Sequence, residues 1–274
     1  MKRPEPFSII YENDELIAVD KPSGIAVIAD RWDDSKERLD ELLNAYFAQD
    51  AESAARTVPP RQPRTPFPHR VYVVHRIDRD TSGLVVFAKT KEAHRKLSAL
   101  FESRDVEKTY LAIVHGRPAW QETLCDLPLR PDGDREHRTV IDKARGKEAR
   151  SYFTLLAEVG AYSLVQARIE TGRTHQIRVH LASLGHPVVC DPLYGTMKPV
   201  YLSAFKRGWR GDSLEERPLV SRLGLHAYSM ILPVGERLLL TAPLPRDFKA
   251  FVNQIEKARG RSVLISGVQP DSAI

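Results

Sequence analysis

Val71-Tyr72-Val73-Val74-His75-Arg76-Ile77-Asp78-Arg79-Asp80-Thr81-Ser82-Gly83-Leu84-Val85-Val86-Phe87-Ala88 organises the rest of this chain. Val71 to Val74 and Leu84 to Ala88 are β-branched or apolar runs, and each predicts a strand. Between them, His75 to Gly83 is a polar loop closed by glycine. It is the densest polar cluster beside predicted strands, so Asp78 is placed where a sheet end can hold a carboxylate rigidly. A lone Asp in a turn is more often a cap or a turn former. Asp80, in the same loop, suits that plainer role of bonding the turn backbone.

Outward from this loop the pattern stays mixed. Phe7 to Glu12 and Leu16 to Asp20 read as strands followed by a Lys21-Pro22-Ser23-Gly24 turn. Asp34 with Glu37 resembles a capping box, and Leu39, Leu42, Leu43, Tyr46 and Phe47 follow at helical spacing. Residues 51–70 carry Pro59, Pro60, Pro63, Pro66 and Pro68 and are expected to be an extended basic loop, either a solvated insertion or an RNA-contacting arm. Thr90 predicts a cap for a helix over Lys91 to Ser103. Lys108 to Val114, Arg150 to Ala157 and Ser163 to Glu170 are strand-like. A helix is expected from His175 to Leu184, stopped by Gly185. Leu225 to Leu232 and Arg237 to Thr241 read as closing strands, and Phe248, Phe251, Val252 and Ile255 form the stripe of a last helix. Many strands with few helices, in no strict βαβ alternation, predict an α+β fold around a largely antiparallel sheet.

Composition sets limits without deciding function. The 274 residues carry a formal charge of +5, 28% charged residues and 42% hydrophobic residues, ordinary for a folded protein. No apolar run approaches the roughly 20 residues that span a bilayer. The N-terminal stretch lacks the pattern of a secretory leader, and only Cys125 and Cys190 could oxidise, so a cytoplasmic location is expected. Positive charge is uneven: no acid occurs from Ser53 through Ile77, whereas Arg56, Arg61, Arg64, Arg70 and Arg76 do. From Lys198 to Arg222 a second basic stretch interleaves Tyr201 and Trp209, which suits RNA contact and a structured surface insertion equally.

The histidines show no metal-ligand spacing, and His175 and His180 do not stack on one helix face. There is no phosphate-binding P-loop, dinucleotide fingerprint or nucleophile elbow. On the helix from His175, Ile177, Leu181 and Leu184 form the buried stripe, and Arg178 lies at its edge. A guanidinium there needs an acceptor, and a carboxylate such as Asp78 is a natural partner.

The loop His75-Arg76-Ile77-Asp78-Arg79-Asp80-Thr81-Ser82-Gly83-Leu84 resembles the His-Arg-Leu-Asp-x-x-Thr-Ser-Gly signature of the RluA-type pseudouridine synthases. Further blocks match in order: Asp20 to Gly24; Lys108-Thr109-Tyr110 with Gly116; Thr171 to Leu181; Gly185-His186-Pro187; Asp191-Pro192-Leu193-Tyr194-Gly195; and Leu225-His226-Ala227. The blocks run from about residue 7 to about residue 250. Departures are small: Ile77 replaces the usual leucine, Cys190 stands where glycine is common, and Leu232 precedes Pro233 where the family often has histidine.

The resemblance implies a single catalytic domain over residues 1–258, with a mixed, largely antiparallel bifurcated sheet, flanking helices and a central active-site cleft. Residues 51–70 and 198–222 are then insertions, and 259–274 a flexible tail. It implies that Asp78 is the nucleophile, that Arg178 pairs with it, and that Tyr110 stacks on the base and relays a proton. Arg76 occupies the space of a flipped base, and Arg79, Lys108, Arg173 and Leu225 contribute to substrate binding. Plainer readings stand beside these: Tyr110 as core, Lys108 as an ordinary surface lysine, Arg79 and Arg173 as phosphate contacts. The implied partner is structured RNA, either 23S ribosomal RNA or a transfer-RNA stem-loop. No metal, cofactor or membrane is expected, and the chain is expected to be a monomer. The competing classes are an RNA-binding or RNA-folding protein with vestigial catalytic residues, and a glycosidase-like hydrolase. The hydrolase needs a second carboxylate, and none stands out.

Overall fold

The computed structural model describes residues 6–29, 37–57, 70–206, 208–260 and 262–263. In chain order its regular elements begin with β1 (Ser8–Glu12), β2 (Leu16–Lys21), α1 (Leu39–Thr57), β3 (Tyr72–Val73), β4 (Ser82–Ala88) and α2 (Lys91–Glu102). They continue with β5 (Glu107–His115), β6 (Glu122–Cys125), β7 (Leu129–Arg130), β8 (Val140–Ile141), β9 (Ser151–Val159), β10 (Tyr162–Ile169) and α3 (Gln176–Ser183). A single 3-10 turn at Leu202–Ala204 precedes β11 (Leu225–Leu232), β12 (Leu238–Thr241) and α4 (Arg246–Arg259). The expected α+β class holds, with antiparallel pairing of β1 with β2, β2 and β3 with β4, β5 and β9 with β10, β6 with β9, β7 with β8 and β11 with β12. The described residues fall into two compact units: those up to Glu107 with Ser229–Pro243, and Lys108–Tyr228 with those from Leu244.

In the first unit β2 pairs with β4 from Leu16 opposite Ala88 to Lys21 opposite Gly83. β4 is buried along its whole length and β2 along all but Asp20, as expected of uninterrupted apolar runs. β1 lies against β2, β3 against β4, and β12 against Ser229–Leu232 of β11. α2 covers this layer with Ala93 and Leu97, which pack among Leu16, Leu84, Val86 and Met230. Thr90 caps α2 as expected, its hydroxyl accepting from the Ala93 N–H at 3.0 Å.

In the second unit β5, β10, β9 and β6 follow one another antiparallel. Alternation along β5 feeds two cores. Leu111 and Ile113 pack with Phe248, Phe251, Val252 and Ile255 of α4, whereas Ala112 and Val114 pack with Ile177 and Leu181 of α3. The sheet of this unit therefore lies between α4 and α3. A separate two-stranded ribbon, β7 with β8, joins Leu129, Ala149 and Val179 in a small core of its own.

Several expectations need correction. The loop expected over 51–70 does not hold for 51–57, where α1 continues through Thr57. Ala51, Ala54 and Ala55 favour helix, and the first proline comes only at Pro59. Residues 58–69 lie outside the described residues. So does Asp34, and α1 starts at Leu39, which leaves Glu37 ahead of the helix rather than inside a capping box. The tail expected from 259 does not hold for its first residues. Gly260 closes α4 in the left-handed region, and Val263 is buried beside α4, its N–H donating to Glu256 Oε1 at 3.0 Å. Residues 264–274 lie outside the described residues.

The basic excursion 198–222 is closed at its base by pairing of Val200 with Val220, both fully buried. Cys190 Sγ reaches the carbonyls of Lys198 and Val220 at that base. Cys190 itself sits at φ 55°, the conformation that favours glycine, which accounts for the usual residue at that place. The β6, β7 and β8 strands were not anticipated.

Replacing Thr90 with alanine removes the side-chain acceptor that caps the start of α2. It is expected to lower stability by about 1 kcal/mol, read as a lower urea midpoint with unchanged slope.

Candidate active site

The Asp78 loop is held from below by the turn that follows β2. Because Lys21 lies opposite Gly83, the Pro22–Gly24 turn sits beside the 75–83 loop. The Lys21 side chain is fully buried, and its ammonium donates to the carbonyls of Pro22 (2.9 Å), Ile25 (2.7 Å) and Arg79 (2.8 Å). The Gly24 N–H donates to the same Arg79 carbonyl at 2.9 Å, using its second lone pair. Gly24 has φ +94°, a conformation that strains any residue with a Cβ. Ser23 Oγ donates to the Asp80 carbonyl at 2.7 Å. The far side of the loop is fixed by His75, whose Nε2 accepts from the Val86 N–H at 2.9 Å while its ring stacks on Phe101.

Within the loop, the Thr81 N–H donates to the Asp78 carbonyl at 3.2 Å and closes a four-residue turn. Ile77 is buried, Asp78 half-buried, and Arg76 and Arg79 are exposed. The buried Ile77 anchors the segment while both guanidiniums face solvent. The Asp80 carboxylate takes the Arg79 Nε at 3.3 Å, so its side chain serves a neighbouring charge rather than the turn backbone.

The second unit carries the other candidates. Lys108, Tyr110 and Ala112 share one face of β5 by alternation, and Tyr110 packs into the core beneath α3. Leu225 is buried in that same core. Lys108, Tyr110, Leu225 and the helix of Arg178 thus belong to one side of this sheet. Lys108 is only 8% exposed, which removes its reading as an ordinary surface lysine. Arg173 is half-buried and its Nε donates to the Glu148 carbonyl at 2.9 Å.

The start of α3 is built from buried polar groups that satisfy one another. Thr171 Oγ1 donates to Gln176 Oε1 at 2.7 Å, and the Gln176 amide donates to the Arg150 carbonyl and to Ser151 Oγ. The fully buried His180 bridges Ser151 Oγ at 3.0 Å and the Leu127 carbonyl at 2.9 Å. Burial pushes its pKa down, which favours the neutral ring with Nε2 donating to Leu127.

Arg178 is clamped. Its Nε donates to Asp191 Oδ2 at 2.7 Å and a terminal nitrogen donates to Oδ1 at 2.8 Å, with arginine and aspartate only 3% and 0% exposed. The Tyr194 ring lies 5.2 Å from the guanidinium carbon. Asp191 Oδ1 also accepts the N–H groups of Leu193 and Tyr194. Burial pushes the Asp191 carboxyl up, but the Arg178 bonds and charge, with those two N–H groups, hold it below the usual carboxylate range. The Tyr194 hydroxyl in turn accepts from the Thr139 N–H and meets His175 Nδ1, each at 2.9 Å. The need of Arg178 for an acceptor was legible in the sequence; Asp191 as one was not, although its block had been noted.

A family model described as RNA pseudouridylate synthase matches residues 15–183. The chain belongs to the RNA pseudouridylate synthase family. Its activity is accordingly that of an isomerase, and the matched blocks are those of the RluA type. A protein of Nitrosomonas europaea named "Ribosomal large subunit pseudouridine synthase D" is 35% identical over 94% of this chain and 68% of its own length. The protein of that name from Pseudomonas aeruginosa is 35% identical over 92% of this chain and 72% of its own. Among solved structures, human RNA Pseudouridylate Synthase Domain Containing 4 superposes with TM-score 0.67 at 22% identity, covering 91% of this chain and 93% of that one. Human RNA Pseudouridylate Synthase Domain Containing 1 gives TM-score 0.60 at 23% identity, covering 99% and 100%. At that identity these two establish the pseudouridylate synthase fold.

Asp191→Asn removes the buried carboxylate charge that takes two Arg178 hydrogen bonds, and is expected to cost about 3–5 kcal/mol of stability. The Asp191 pKa is depressed on folding, so its contribution is complete above the ordinary value of 3.8 and is lost only as pH falls below it. Denaturation at pH 7 and at pH 5.5 should therefore give the same difference between variant and wild type.

Proposed function

We propose that this chain isomerises uridine in large-subunit ribosomal RNA, with Asp78 as nucleophile. The observation that carries the reading is a carboxylate on a loop whose adjoining Arg79 carbonyl is pinned by a buried ammonium, inside a chain whose relatives bear the ribosomal name. The reaction breaks the bond from uracil N1 to the ribose, turns the ring and rejoins it through C5. The C5 hydrogen leaves as a proton and N1 regains one, so mass and redox state are unchanged. No phosphate donor or redox partner is needed, and the proposal includes no cofactor.

A base must leave its stack before this can happen, at a cost of about a few kcal/mol. Arg76, exposed beside Asp78 in sequence, suits the role of filling the vacated space, since guanidinium planes stack well on bases. Arg79 is exposed on the same loop and suits phosphate contact, a salt-sensitive contribution without sequence information. Tyr110 and Arg178 are assigned by the family positions they match: Tyr110 to stack on the uracil and relay the C5 proton, Arg178 to counter the charge of the nucleophile. Lys108, Arg173 and Leu225 are assigned to substrate binding on the same ground. A transfer-RNA stem-loop is the second substrate considered, and the cytoplasm is the proposed compartment. No helix among the described residues is long and apolar enough to cross a membrane.

A binding protein with vestigial chemistry has no use for a carboxylate facing a polyanion, whereas a nucleophile must be one. Asp78→Asn preserves shape and removes the charge. The variant is expected to keep its fold and its RNA affinity and to form no pseudouridine in a large-subunit RNA transcript. Turnover by the asparagine variant at more than a small fraction of the wild-type rate rejects Asp78 as nucleophile.

A further inference from the structure

The polar groups around the Asp78 turn are nearly all engaged. The Arg79 carbonyl takes two donors, the Asp80 carbonyl takes Ser23, and the Asp78 carbonyl takes the Thr81 N–H. Thr81 is the exception. It is 1% exposed, and its hydroxyl finds no hydrogen-bond partner among the described residues. Buried hydroxyls are overwhelmingly bonded, and one left alone destabilises the fold relative to an apolar group of the same shape. Valine has that shape and the same χ1 stiffness. If position 81 only filled space, the hydroxyl would be a disadvantage there.

The turn gives this hydroxyl an address. A hydrogen-bonded four-residue turn keeps its end Cα atoms within about 7 Å of each other, so the side chains of Asp78 and Thr81 are a rotamer change from a hydroxyl–carboxylate bond. Because the intervening carbonyls are pinned from the Lys21 turn, that change needs no movement of the main chain.

We propose that the Thr81 hydroxyl is a donor held in reserve for the Asp78 carboxylate in its substrate-engaged orientation, which makes Thr81 a positioning residue. The inference rests on the reading of Asp78 as nucleophile. As one carboxylate oxygen turns to the substrate, the other accepts a hydrogen bond from the Thr81 hydroxyl. The carboxylate is thereby fixed in its reactive rotamer, and no proton is transferred.

Thr81→Val, Thr81→Ser and Asp78→Asn are assayed side by side on in vitro transcribed large-subunit ribosomal RNA, with thermal midpoints measured for each. Loss of one charge-assisted hydrogen bond predicts that the valine variant loses about 10- to 100-fold in kcat. Its KM is expected to stay within about twofold of wild type and its midpoint to be equal or higher. The serine variant, which keeps the donor, should recover most of the rate. A valine variant with wild-type kcat overturns the inference, whether its midpoint rises because the hydroxyl was idle or falls because it held a buried water. A loss of kcat that serine does not restore overturns it too. Turnover by Asp78→Asn would instead sink the nucleophile reading, whereas an inactive asparagine variant beside a fully active valine variant sinks this inference alone.

Discussion

An ammonium group excluded from water must be surrounded by oxygen, and that requirement at Lys21 shapes the segment that bears Asp78. Among the partners of Lys21 are three main-chain carbonyls, two from its own turn and one from Arg79. Carbonyl dipoles point in fixed directions, and the chain supplying them cannot drift without uncovering the ion. The loop from His75 to Gly83 is thereby tied to the turn after β2. The tie also explains why the strand register matters: Lys21 opposite Gly83 puts the ammonium under the loop, and a slip of one residue would turn it to the other face. For the proposed nucleophile such local order matters, since orientation alone lowers barriers.

The second unit solves a similar problem with a network in place of a single ion. Thr171, Gln176, Ser151 and His180 exchange hydrogen bonds at the entrance to α3, and Arg178, between Gln176 and His180 in sequence, is held by both oxygens of Asp191. Each member is buried, so each is costly to leave unmatched. A fully satisfied network of this kind specifies one arrangement of the helix against β9. Tyr110 and Lys108 face the same side of the sheet because strand alternation leaves them no other choice.

Much of this was legible in the chain. Thr90 before α2 and Gly185 after α3 mark helix ends by local chemistry, and both act where expected. The apolar runs of β2 and β4 and the stripe of α4 needed only periodicity. What stayed hidden depends on partners distant in sequence. Glu122–Cys125 alternates weakly and is a strand because β9 pairs with it. Nothing local distinguishes Lys21 from a surface lysine, nor Asp191 from a turn former. The helix through Thr57 was obscured by the prolines beyond it. At the candidate site, the loop and its aspartate could be read from sequence, whereas the anchor beneath it and the clamp on Arg178 could not.

In the proposed reaction uracil is detached and rejoined through carbon without leaving the protein. RNA transcribed with uridine tritiated at C5 tests it directly. Wild-type protein should release tritium to water in step with pseudouridine formation, with no free uracil and no strand made sensitive to cleavage at an abasic sugar. Free uracil appearing in place of pseudouridine would mean a hydrolase, and would contradict the account at its root.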